Sequence, residues 1–204
     1  MTWMWVELFR GDIRGEWVKE ITHTTGYWGL LLIVATLAVT PLRRLSGWNW
    51  IQPLRRTFGL FAFFYICVHF LIYLLLDREL IFGVFALGEI LEDVAKRPYI
   101  TVGLAGFLLM IPLALTSTKK SIRRLGRKWV TLHALIYLTA LAGVVHFMWS
   151  VKADVSRPTA VGLTLVLLLA LRLVPRELLS RLRDPGRRAA GHSAGPAADP
   201  ALPA

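Results

Sequence analysis

Hydrophobic residues along this 204-residue chain fall in long blocks instead of alternating with polar ones. Five blocks approach the length needed to cross a bilayer, at residues 26–42, 58–76, 99–115, 130–150 and 159–174. A hydrocarbon core of about 30 Å calls for roughly 20 apolar residues at about 1.5 Å of helical rise each. Spanning strands would show alternating polarity, which these blocks lack. The pattern therefore predicts an all-α, polytopic transmembrane bundle with five spanning helices. The fifth block is short and is expected to borrow length from Arg172 and Arg176, whose aliphatic stems can carry their charge up to the headgroups. Residues 80–96 are moderately apolar but too short and too charged to span, which predicts a short helix lying on the outer surface. Residues 184–204, rich in Ala, Pro and Gly without periodicity, predict a disordered cytoplasmic tail. No repeat of the kind that builds solenoids is present, so one bundle over residues 26–183 follows a segment of 25 residues at the N-terminus.

Charge orients the bundle. Of the 24 basic residues, 16 lie in the first-to-second and third-to-fourth connections or beyond the fifth block, among them Arg43, Arg44, Arg55, Arg56, Lys119 and Arg123. The opposite face holds 8 basic residues against 10 acidic ones, including Asp77, Glu79, Glu89, Glu92 and Asp93. Lys and Arg near helix ends resist translocation, which places the basic face and the C-terminus in the cytoplasm and the N-terminus outside. A net charge of +11 also raises nucleic-acid binding, but here the charge caps helix ends, which argues against that partner and for membrane lipid. Glu7, Arg10, Asp12 and Arg14 interrupt any apolar run near Met1, so a cleavable signal peptide is not predicted. Cys67 is the only cysteine and lies mid-span, which excludes an intrachain disulfide or a cysteine-ligated metal centre. Trp48, Trp50, Trp129 and Trp149 sit at block ends, as interfacial tryptophans do.

Ionisable groups inside a membrane are costly, so each asks for a partner. Three histidines fall within the blocks: His69 in the second, His133 and His146 in the fourth; His23 and His192 lie outside them. A lone intramembrane histidine is as readily a core residue bonded to a hydroxyl or carbonyl, but three on two spans shift that balance. The second and fourth blocks run in the same direction, and His69 and His146 lie at heights about 5 Å apart by helix rise. Two neutral imidazoles facing one another can ligate one haem iron, and haem b needs no cysteine. His133 lies about 20 Å lower, where a second haem would find Arg55 or Arg56 opposite instead of histidine. A guanidinium does not normally ligate iron, so such a haem would have one histidine ligand while arginine pairs with its propionates. Thirteen residues of ideal helix also leave His133 about 140° out of line with His146 unless a bulge intervenes. Zinc or copper would prefer a tighter cluster with thiolate or carboxylate, and no acidic residue lies within a block to relay protons.

Several stretches carry a resemblance. They are Arg55-Arg56-Thr57-Phe58-Gly59-Leu60 leading to His69, Arg97-Pro98-Tyr99-Ile100-Thr101, Leu115-Thr116-Ser117-Thr118, Leu125-Gly126-Arg127-Lys128-Trp129 with Leu132-His133, and His146-Phe147-Met148-Trp149-Ser150-Val151-Lys152. In this order, over residues 21–183, they resemble the haem-binding membrane subunit of the periplasmic protein-methionine-sulfoxide reductase system, within the ferric-reductase-like transmembrane group. The resemblance implies an inner-membrane electron conduit without an active site of its own. Its donor would be the quinone pool or a cytosolic flavin reductase, and its acceptor a periplasmic molybdopterin-dependent subunit that reduces methionine sulfoxide. It implies His69, His133 and His146 as haem b ligands, and FMN as a further cofactor, for which no Gly-rich phosphate turn is present. Relatives of this kind usually begin with a further transmembrane helix, which is missing from the blocks here, and a misplaced start codon would account for that. Residues 80–96 and 149–157 are the expected docking surface, with Glu89, Glu92 and Asp93 as its charges. A ferric-reductase-type component served by a separate flavoprotein, and a histidine-lined transporter, are the competing expectations.

Overall fold

In the computed structural model, residues 11–77 and 87–175 are described, and they form helices joined by short turns with no strand among them. The first helix, α1, runs Gly11–Ser46. It begins well ahead of its apolar block, because the stretch before residue 26 is amphipathic, not apolar. Glu16, Lys19 and Glu20 are exposed while Val18 is half-buried, and the Thr22 and Thr25 hydroxyls donate back to the carbonyls of Val18 and Ile21. No break in the helix marks the boundary placed at residue 25. Gly47 ends α1 at φ 78°, its N–H donating to Arg43 O at 3.0 Å, a left-handed cap that glycine adopts without a Cβ penalty.

A 3₁₀ turn, Asn49–Ile51, leads to α2, Leu54–Ile72, which continues into a π-helical turn, Tyr73–Asp77. The described part of the expected surface helix is α3, Leu87–Lys96; residues 80–86 and the tail at 184–204 lie outside the described residues. Pro98 opens α4, Pro98–Leu115, at the position where a missing N–H costs nothing. Thr118 caps α5, Lys119–Leu125, by accepting from Ser121 N at 3.1 Å. The fourth span divides into α6, Arg127–His133, and α7, Leu135–Ser150. At the join, Tyr137 N–H donates to Ala134 O at 3.1 Å, a three-residue bond that tightens the ladder between His133 and His146. Ahead of the last span, α8, Ser156–Leu173, Asp154 Oδ1 accepts from Ser156 N at 2.9 Å and so orders the entry to the helix. These hydrogen bonds to Ser156 also hold the Asp154 carboxyl below its ordinary pKa.

Among the described residues, five helical stretches are long and apolar enough to cross a membrane: Glu16–Ser46, Asn49–Leu75, Pro98–Leu115, Arg127–Ser150 and Ser156–Leu173. The most extensive contacts join α1 to α2 and α4 to α7, two antiparallel pairs that α8 joins along α1 and α7. Their shared core is Ile33, Leu37, Ala62, Met110, Ala140 and Leu165, while Phe61, Phe64, Leu163 and Val166 turn outward. With lipid as solvent, the outward faces need no cover, and close packing of small residues holds the bundle.

Arg172 departs from expectation. Its guanidinium is engaged within the bundle: Nη2 donates to Leu37 O at 2.6 Å and Nη1 bonds the Tyr137 hydroxyl. Arg44 Nη1 in turn donates to Arg172 O at 2.9 Å. Leu37 O lacks its helical donor because Pro41, four residues on within α1, has no N–H, and Arg172 O lies in the last turn of α8, so each cation meets a carbonyl its helix leaves unpaired.

Enlarging fully buried Ala140 to Leu is expected to lower stability by about 1–3 kcal/mol through overpacking. Leu163→Ala on the lipid face is expected to stay within about 0.5 kcal/mol. Unfolding midpoints of the two variants in one detergent check the contrast.

Candidate functional site

At the end of the bundle where α1 and α4 start and α2 and α7 finish lies a cavity of about 410 Å³. His69 and His146 both line it. Their ring centres stand 6.0 Å apart and their planes cross at 84°. Each ring is held at the same atom by the main chain of the neighbouring helix. His69 Nδ1–H donates to the Thr22 carbonyl of α1 at 2.9 Å, and His146 Nδ1–H donates to the Tyr99 carbonyl of α4 at 2.7 Å. A carbonyl only accepts, so the proton sits on Nδ1 and the neutral ring keeps its Nε2 lone pair for another partner.

Space for each ring comes from a glycine one turn beyond the accepting carbonyl. A Cβ on Gly26 would lie 2.9 Å from His69 Nδ1, and one on Gly103 only 2.6 Å from His146 Nδ1. Both histidines follow their carbonyl by 47 residues. Thr22, Gly26 and His69 thus recur as Tyr99, Gly103 and His146, each 77 positions on. Neither the carbonyls nor the glycines stand out in a search for chemically active side chains. A signal was nonetheless available: a glycine 43 residues before each of the two histidines.

The cavity has a lid. Ile90 and Val94 of α3 line it, and Asp93 on the same helix is 9% exposed. Tyr73, first residue of the π turn after His69, donates its hydroxyl to Asp93 Oδ2 at 3.1 Å, while Arg97 Nε lies 3.4 Å from Oδ1. Asp93 is accordingly a structural anchor and not a docking charge, which corrects the expectation from sequence; Glu92 is exposed and paired with Lys96.

His133 is kept apart from the pair, near the far end of the bundle. Its ring stacks on Trp129 at 3.8 Å, and Nδ1–H donates to Trp129 O at 3.2 Å. Ser117 Oγ lies 3.5 Å from Nε2 and donates its hydrogen to Leu113 O at 2.7 Å, a carbonyl that the His133 ring also approaches. Trp129 donates Nε1–H to Thr116 O at 3.0 Å, so it ties α6 to the end of α4 besides standing at a block end. Arg55 is half-buried within charge range of His133 and Arg172, whereas Arg56 is exposed.

Two imidazoles sharing one metal through Nε2 place their ring centres roughly 6.3 Å apart, given a metal–nitrogen bond of about 2.0 Å. The observed 6.0 Å fits, as does a ring-sized cavity walled by Phe70, Phe107 and Phe147. Among the described residues no three His, Cys, Asp or Glu side chains converge.

A five-span helical membrane protein with paired histidines between its helices is the class that this fold and site define. The family described as ferric reductase like transmembrane component matches residues 2–144. Relatives named protein-methionine-sulfoxide reductase heme-binding subunit MsrQ are closely similar. The one from Rhodospirillum rubrum is 46% identical over 86% of this chain and 82% of its own. Those from Xanthomonas campestris pv. campestris (strain 8004) and Ralstonia nicotianae are 47% and 48% identical, covering 90% and 76% of this chain and 79% and 71% of theirs. No solved structure matches. The chain belongs to the MsrQ family within the ferric-reductase-like transmembrane group.

Tyr73→Phe removes a hydrogen bond to a buried carboxylate, a contact whose loss costs about 1.5–3 kcal/mol in favourable cases. Faster amide exchange across Leu87–Lys96, with exchange in α7 unchanged, is the expected outcome by hydrogen–deuterium mass spectrometry.

Proposed function

We propose that this chain is the haem b electron-transfer subunit of a periplasmic methionine-sulfoxide reductase system, and that His69 and His146 would hold the haem iron. The single observation carrying this reading is the pair itself: two rings from two spans, 6.0 Å between centres, each pinned at Nδ1 with Nε2 available. Haem b, when bound, supplies a one-electron carrier that needs only two imidazole ligands and no covalent attachment. The residues do the rest. Carbonyls of Thr22 and Tyr99 fix the tautomer and raise ligand basicity, and the aromatic wall keeps water from the rings. Lys19 and Arg97 put positive charge on the cavity wall, suited to carboxylate side arms.

Electrons enter on the cytoplasmic side from the quinone pool or a cytosolic flavin reductase and leave to a periplasmic molybdopterin-dependent subunit that repairs oxidised proteins. The names of the relatives support the system, and the basic residues gathered at one face support this orientation in the bacterial inner membrane. His133, with Arg55 in charge range, suits a second haem on the cytoplasmic side, held by one histidine, with Arg55 and Arg56 toward its propionates. FMN rests on family resemblance alone and is assigned no residues.

Purified protein is expected to show a reduced-minus-oxidised haem b spectrum. That signal should disappear from the His69→Ala, His146→Ala double variant, apart from any share lost with His133→Ala. An unchanged spectrum in the double variant would contradict the ligand assignment. Reporter fusions after Ser46 and Leu125 are expected to read as cytoplasmic, and one after Lys152 as periplasmic.

A further inference from the structure

We infer that Gly26 and Gly103, each with the carbonyl four residues before it, are positioning residues that lock the two imidazole planes in a crossed orientation. The inference rests on the haem reading above and concerns what sets the ring planes, not which rings bind.

A ligating imidazole can turn about its metal–nitrogen bond, and the hydrogen bond at the other ring nitrogen is what stops it. Here the acceptor is a helix carbonyl, fixed by its own helix. The carbonyls belong to different helices, Thr22 to α1 and Tyr99 to α4, so each plane is set separately. The result is an angle of 84°. In a helix, the residue four positions on stands directly over a carbonyl, where its Cβ would occupy the place of an approaching ring. A methyl group at 2.6–2.9 Å from Nδ1 forces the ring to turn or to give up its bond.

Other glycines on the same seams serve a different purpose. A Cβ on Gly29 would strike Ile66 Cδ1 at 2.6 Å, and one on Gly106 would meet Ala142 Cβ at 3.3 Å. Those two let helices approach one another; only Gly26 and Gly103 abut the histidines. The cradle therefore does more than admit close packing, because its walls touch ring atoms.

Crossed axial planes have a consequence in the ferric state. Two π-donor imidazoles at right angles act on two different iron d orbitals equally and leave them nearly degenerate, which gives a highly anisotropic low-spin signal. Parallel planes act on one orbital, split the pair and give an ordinary rhombic signal. The ring angle is thus readable by electron paramagnetic resonance without any turnover.

The experiment uses the oxidised, full-length protein in the His133→Ala background, which removes any contribution from the far end of the bundle. Pyridine-haemochrome analysis measures haem alongside. The expected result is a single low-field feature of the highly anisotropic type. Gly26→Ala and Gly103→Ala should each move that feature toward the rhombic position with haem retained. Gly29→Ala, which presses on Ile66 in the same helix pair, should leave it in place. A rhombic parallel-plane signal at full haem content in the parent protein overturns the inference, and this measurement decides even where a glycine variant fails to assemble. So does a shift in Gly29→Ala as large as that in Gly26→Ala. Absence of haem from the parent sinks the ligand reading itself, which separates the two failures.

Discussion

Inside a bilayer a ring N–H has few places to go. Water is absent, lipid tails accept nothing, and an unsatisfied polar group costs several kcal/mol. His69 and His146 meet this constraint with the second lone pair of a main-chain carbonyl, one on α1 and one on α4. No side chain could hold the rings as firmly, because a helix carbonyl has no rotamers. The bond also dictates which helices pair: α1 must lie against α2 and α4 against α7, and these are the broadest contacts in the bundle. Small residues at the seams follow, since the carbonyl is reachable only where no Cβ shields it.

The same economy of acceptors governs the other polar groups. Thr36, Thr139 and Thr164 donate to the carbonyl one turn before, and Arg172 donates to Leu37 O across the bundle. Asp93, the one buried carboxylate among the described residues, meets Tyr73 and Arg97 at the lid. Even beside the apolar cluster around Leu37, Ala62 and Ala140, side-chain donors are thereby satisfied by main-chain carbonyls.

Much of this was legible beforehand. The five spans follow from block length, because lipid imposes one thickness on every crossing. Similar depth for His69 and His146 follows from counting rise along two spans that run the same way. The ends of elements were harder to read. Helix α1 starts early because amphipathic residues hold a helix as well as apolar ones, and the fourth span tightens at Ala134 with no proline or glycine to announce it. Arg172 and Asp93 are engaged because acceptors and donors on other helices await them, a matter of tertiary placement that charge patterning along one chain does not encode. Thr22 and Tyr99 act through backbone atoms common to every residue, so only the glycine after each betrays them.

The recurrence of carbonyl, glycine and histidine at an interval of 77 residues divides the bundle into two helical hairpins of matched design. Each hairpin contributes one histidine of the pair, His69 from the first and His146 from the second. On the proposed haem reading, the first hairpin alone would offer a porphyrin one ligand, and capture by both histidines would wait for the fourth crossing. A cofactor between the hairpins would then act as a clasp added late, joining two parts whose broadest contacts lie within themselves rather than with each other.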